Sequence, residues 1–141
     1  LSGDTLTARH WTLADNGNYA LTTNGGSAVL TNTIVASHIL AGFWGSNLIA
    51  EHTLFFNSGI PCGGGASCTN NLTGDPQFIN PAAGDYHIGP DSAAIDAGVD
   101  AGVTIDIDGD PRPAGTGYDI GADERTRNIY LPIILKLYVT P

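Results

Sequence analysis

Asn32-Thr33-Ile34-Val35-Ala36 decides the fold because it recurs: Trp11-Thr12-Leu13-Ala14 precedes it and His52-Thr53-Leu54-Phe55-Phe56 follows, and alignment on the Thr spaces the three copies by 21 and 20 residues. That period is close to one coil of a β-helix. In such a solenoid each coil contributes short strands whose alternate side chains enter a narrow core, so like residues stack coil upon coil. On this alignment Leu13, Ile34 and Leu54 form one stack.

Between the copies lie Asp15-Asn16-Gly17-Asn18 and Thr23-Asn24-Gly25-Gly26, where Asn and Gly supply the left-handed backbone angles that corners need. A meander of antiparallel hairpins in a β-sandwich has a similar period and is the alternative. A leucine-rich repeat does not fit, because the Leu-x-x-Leu-x-Leu pattern is missing. No stretch keeps a helical hydrophobic period, so helix content should be small. The expected class is all-β: the last few coils of a right-handed parallel β-helix over residues 1–74.

The charge pattern divides the rest. The chain has 141 residues, 42% of them apolar, enough for one domain with a core. Its net charge is −9, which disfavours nucleic acid and anionic membrane surfaces as partners. Residues 1–74 carry three acids and residues 75–124 carry eleven against the single base Arg112. This second region, 75–127, is rich in Gly, Pro and Asp. Its Asp75-Pro76, Asn80-Pro81, Gly89-Pro90 and Asp110-Pro111 pairs bias the preceding residues to extended backbone and stop helices. It should be loops and short strands laid over the end of the coil stack. The third region, 128–141, contains the apolar run from Ile129 to Val139, too short for a membrane-spanning helix and interrupted by Pro132 and Lys136. It reads as a terminal strand covering an edge, or as a sorting tail.

Scarce Lys and Arg, absent Met and frequent Gly, Thr and Asn suit a secreted protein of short strands and tight turns. A start at Leu1-Ser2-Gly3-Asp4 suggests a piece of something longer. The two cysteines, Cys62 and Cys68, flank a Gly-rich loop flexible enough to bring them within disulfide reach; a pair of free thiols is the alternative.

Five ordered motifs carry a resemblance: Asp75-Pro76-Gln77-Phe78, Gly84-Asp85-Tyr86-His87-Ile88, Ser92-Ala93-Ala94-Ile95-Asp96-Ala97-Gly98, Asp106-Ile107-Asp108-Gly109-Asp110-Pro111-Arg112-Pro113 and Asp119-Ile120-Gly121-Ala122-Asp123-Glu124. Together they resemble the C-terminal signature of bacterial right-handed parallel β-helix proteins of the choice-of-anchor type. The tail around Tyr130-Leu131-Pro132 is similar to the ends of surface proteins of filamentous green non-sulfur bacteria. The resemblance implies an extracellular or cell-surface location, cell-surface polysaccharide as a partner, and further coils upstream that hold any substrate site.

Asp106, Asp108 and Asp110 alternate with Ile107 and Gly109, so three carboxylates would converge on a hard cation, Ca²⁺, if the segment is a loop. The bidentate Glu of an EF-hand is missing and Pro111 interrupts the loop. The alternative is a turn whose Asp side chains accept backbone N–H groups, with Arg112 neutralising one of them. Asp96 reads as a turn or capping residue. No catalytic residue is assigned. Asp15 and Glu51 fall at different repeat offsets, and His10 and His52 sit two residues and one residue before the repeat Thr, which points them different ways. Trp11, Trp44, Phe43, Phe55 and Phe56 would form either a sugar-stacking platform or core packing. Asn71-Leu72-Thr73 has the glycosylation pattern without implying its use. The functional expectation is a non-catalytic terminal segment supporting surface display or adhesion; the alternative is the end of a carbohydrate-active β-helix enzyme.

Overall fold

A computed structural model describes residues 4–126. The apolar tail from Ile129 to Val139 lies outside them. Coil one holds β1 (Thr5–Arg9), β2 (Thr12–Ala14) and β3 (Tyr19–Thr22); coil two holds β4 (Ser27–Thr31), β5 (Ile34–Ala36) and β6 (Ala41–Trp44). Coil three holds β7 (Leu48–Glu51), β8 (Leu54–Phe56) and β9 (Ile60–Gly63), and β10 (Ser67–Thr69) and β11 (Leu72–Thr73) begin a fourth. Every pairing among them is parallel, giving sheets ordered β1-β4-β7-β10, β2-β5-β8-β11 and β3-β6-β9. The protein is a parallel β-solenoid of about three turns.

The core is a checkerboard. On the first sheet Leu6 stands over Ala28 and Ala28 over Leu48, while beside them Ala8 stands over Leu30 and Leu30 over Ala50. Large and small side chains alternate along each column, so the side chains of successive coils interdigitate. Val35, Phe43 and Phe55 fill the centre, and the rings of Phe43 and Phe55 meet edge to face at 5.7 Å. Trp11 and Trp44 are on the outside.

The register corrects one column. Leu13 pairs with Val35, and Val35 with Phe55; Ile34 and Leu54 align instead with Thr12. Successive coils are 22, 20 and 18 residues long at this sheet. Alignment on Thr is therefore one residue off in the first coil, and a one-residue slip turns every side chain to the opposite face.

The same register overturns the opposed orientation of His10 and His52. His10, Asn32, His52 and Asn70 are equivalent corner residues on successive coils, at φ of 54°, 54°, 51° and 54°. Their amides continue the stacking: His10 N–H donates to Thr31 O, Asn32 N–H to Glu51 O and His52 N–H to Thr69 O. Asp15, Ser37 and Asn57 form a second such ladder. Asn, Asp and His tolerate this left-handed conformation better than other non-Gly residues.

Residues 75–126 lie against the flank of the β2-β5-β8-β11 sheet, and their contacts place them there rather than over the end of the stack. Ile88, Ala94 and Ile120 pack on Ile34, Ala36 and Leu54 in a second apolar cluster. Gly121 N–H donates to Asn32 O, and Ala122 N–H to the Thr12 hydroxyl. The physical reason is that β5 is apolar on both faces: Ile34, Val35 and Ala36 are all buried. By contrast the first sheet alternates, as Ser27–Thr31 does, and keeps one face in water. In the flanking segment β12 (Phe78–Asn80) and β13 (Asp85–Ile88) form an antiparallel hairpin around a 3-10 turn, with the Phe78 and Tyr86 rings edge to face at 5.1 Å.

Candidate functional site

The polar groups buried between coil and flank form one seam. Arg112 and Glu124 are its centre, with side chains 1% and 0% exposed and Nη1 donating to Oε2 at 2.9 Å. Buried charge needs partners, and of this pair's polar atoms the Arg112 Nε–H alone is left without one. Arg112 also donates through Nη2 to Gly121 O (2.9 Å) and Ala122 O (2.6 Å), and Glu124 accepts the N–H groups of Ala114 and Asp119, each at 3.0 Å. Arg112 thus pairs with Glu124 and not with an aspartate of the 106–110 run.

His10 and Asn32 carry the seam into the coils. The Asn32 amide clasps the Val99 backbone: Oδ1 accepts its N–H at 3.1 Å and Nδ2 donates to its carbonyl at 2.6 Å. This fixes which end of the amide is the donor. The second Nδ2 hydrogen therefore points to His10 Nε2 at 2.9 Å, which must accept, leaving the ring proton on Nδ1 to donate to Asp119 O at 3.1 Å. Burial, and then the Arg112 guanidinium 3.0 Å from Nδ1, hold the His10 pKa down at about 4. Burial also pushes the Asp119 carboxyl up to about 6, although it accepts the N–H groups of Asp96 and Arg125.

The acidic run is a turn built on Asp106. Its Oδ1 accepts the N–H groups of Asp108 (2.9 Å) and Asp110 (2.8 Å), and its Oδ2 that of Glu124 (3.0 Å). Burial raises its pKa, but these donors outweigh burial and set it below the usual carboxylate value. Asp106, Asp108 and Asp110 do not converge on one point, because the Asp106 oxygens are turned inward on the backbone. Among the described residues, Asp108 instead meets His87 and Asp123, one donor atom of each lying within 4.8 Å of the others. Nothing in the 106–110 spacing points to His87, which comes from β13.

Asp96 is in a left-handed turn at φ 55°, where its Oδ1 accepts Gly117 N–H at 2.7 Å. Cys62 and Cys68 are joined as a disulfide with Cα atoms 6.4 Å apart. Asp15 lines an open cleft of about 430 Å³ with Ser37, Phe56, Asp75, Gln77 and Phe78, and accepts the Tyr86 hydroxyl at 2.8 Å. Glu51 stands on the first sheet and His52 at the corner after it, so neither reaches that cleft. Among the described residues no helix is long and apolar enough to cross a membrane.

Fold and seam together define a parallel β-solenoid clamped along one flank by an irregular acidic segment. No family model matches the chain, and no curated protein or solved structure is significantly similar to it.

Proposed function

We propose that this chain is the non-catalytic C-terminal portion of a secreted or cell-surface β-helix protein of the choice-of-anchor type, in which the acidic segment locks the last coils and supports display or adhesion. The observation that carries this reading is the seam. The coil residues His10 and Asn32 spend their polar atoms on Asp119 and Val99 of the segment, and the Arg112–Glu124 pair, bonded within the segment, holds the 119–122 run whose Gly121 and Ala122 amides reach Asn32 and Thr12. A group committed to internal bonds in a rigid site serves cohesion, and its removal should loosen the flank before anything else.

The test has two readouts on the purified chain. Incubation with a panel of uronate and neutral polysaccharides should release neither reducing ends nor unsaturated products, and retardation by one of them in affinity electrophoresis would identify the surface partner. Depolymerisation lost on Asp15→Asn would overturn the reading in favour of a carbohydrate-active enzyme, since Asp15 is the coil carboxylate that lines the described cleft.

A further inference from the structure

The structure points to a second feature of the flank that cohesion does not use: we propose that His87, Asp108 and Asp123 form a binding site for a divalent cation of the zinc class, with Asp85 as the outer carboxylate that orients the imidazole. The three donors come from three separate stretches, β13, the 106–110 turn and the irregular run before Glu124. His87 Nε2 is 2.9 Å from Asp108 Oδ2.

The orientation of His87 indicates a cation at Nε2. Its Nδ1 is hydrogen-bonded to Asp85, which lies outside the trio. A carboxylate on one ring nitrogen keeps the proton there and turns the lone pair of the other outward, the arrangement found behind metal-bound histidines. Here that lone pair faces two carboxylates. A bare lone pair against two anions is repulsive, so positive charge belongs between them, as a proton or as a metal ion. The surrounding cleft is lined by Asp110 as well, with Arg125 as its one basic residue, so the local field favours a dication.

The backbone behind each donor is fixed. Asp123 Oδ2 accepts Ile88 N–H at 2.8 Å, and the turn presenting Asp108 is pinned by Asp106, whose other oxygen holds Glu124 N–H of the buried ion pair. Donors held in place by a second layer of bonds bind without much reorganisation. One imidazole and two carboxylates suit Zn²⁺, which takes four mixed nitrogen and oxygen ligands; Ca²⁺ takes six to eight oxygens. Two protein carboxylates and a neutral imidazole also match the charge of a dication. Water completes the coordination.

The experiment is calorimetric titration of the chelator-stripped full chain with Zn²⁺ and, separately, Ca²⁺ at neutral pH, in two buffers of different ionisation enthalpy. The expected result is one saturable Zn²⁺ site, proton release from Nε2 and a raised thermal midpoint, since a ligand of the folded state stabilises it. His87→Ala should abolish the site, and Asp85→Asn should weaken it by about tenfold or more. Both side chains are partly exposed, so circular dichroism should show the fold retained. Absence of saturable binding, binding indifferent to His87→Ala, or tighter Ca²⁺ than Zn²⁺ binding would each overturn the proposal.

Discussion

Replacing Arg112 by Met tests the seam directly. Met fills a similar volume but leaves the Glu124 carboxylate fully buried, facing the Ala114 and Asp119 amides without a cation. It also strips the donors from Gly121 O and Ala122 O. Breaking a buried pair by removing one partner costs about 3–5 kcal/mol. We expect about 4 kcal/mol, or close to 12 °C in thermal midpoint for a chain of this size. Urea unfolding followed by the Trp11 and Trp44 fluorescence and by circular dichroism measures it. Amide exchange then localises it: protection should collapse first at Val99, Gly121 and Ala122, the groups that cross from segment to coil, and last at Leu30 and Ala50. The reasoning also covers the double variant. Arg112→Met with Glu124→Leu removes the orphan charge but still leaves the Asp119 and Ala114 amides and the Gly121 carbonyl unpaired, Ala122 O keeping the Ile107 N–H, so it should recover only part of the loss. A loss below about 1 kcal/mol in Arg112→Met, or exchange that changes evenly through the coils, would refute the seam as the element that holds the flank.

Further outcomes follow from particular residues. Because the folded His10 pKa is lowered from 6.5 to about 4, its contribution is fully present above pH 6.5 and lost as pH falls towards 4, while Asp119, raised to about 6, gains stability as pH falls through the same window. The two largely cancel in the native chain; in His10→Asn the cancellation ends, so the stability advantage of the native chain over the variant should shrink by up to about 3 kcal/mol between pH 6.5 and 4, measured by urea unfolding across that range. Leu30→Ala opens the checkerboard between Ala8 and Ala50 and should cost about 2–5 kcal/mol by the same assay. Gly121→Ala, at φ 109° with its new Cβ 2.6 Å from Ile34 Cδ1, should destabilise by about 1–3 kcal/mol, and an unchanged midpoint would contradict the close packing of the flank. Reducing Cys62–Cys68 should cost about 2 kcal/mol, the loop-closure value for so short a span, read as a midpoint shift with and without reductant.

The solenoid was legible in the sequence because its corners are: Asp15-Asn16-Gly17-Asn18 and Thr23-Asn24-Gly25-Gly26 do turn, and the repeat between them is real. The register was not. Coils of unequal length defeat an alignment on one residue type, and Thr12, Thr33 and Thr53 do not occupy one ladder. A better signal lay one step away in His10, Asn32, His52 and Asn70, residue types that accept the left-handed corner, each just after a first-sheet strand. The covered flank was also written in the sequence, as the unbroken apolar runs Ile34-Val35-Ala36 and Leu54-Phe55-Phe56 where a strand with one wet face would alternate. The partners within the acidic segment were not, for a different reason. Arg112 has an aspartate two residues away at Asp110 and takes Glu124, 12 residues on, because only tertiary packing decides which carboxylate is buried with it. The same holds for His87, which reaches Asp108 across an irregular loop.

That division has a thermodynamic meaning. In a solenoid each coil touches only its neighbours, so stability is close to a sum of coil and interface terms, and a short stack can open from an end. Here the flanking segment bonds to Thr12 in the first coil and to Asn32 in the second, and through the cluster of Ile88, Ala94 and Ile120 packs with Leu54 of the third. It thereby couples coils that do not otherwise touch. Opening coil one then requires losing the Thr12 contact to Ala122 and the His10 contact to Asp119, both on the run that the Arg112–Glu124 pair holds, so the cost of local opening approaches the cost of unfolding the whole flank. Three turns with this clamp should therefore unfold as one cooperative unit, and a calorimetric enthalpy well above the van't Hoff value would show that the clamp does not couple them.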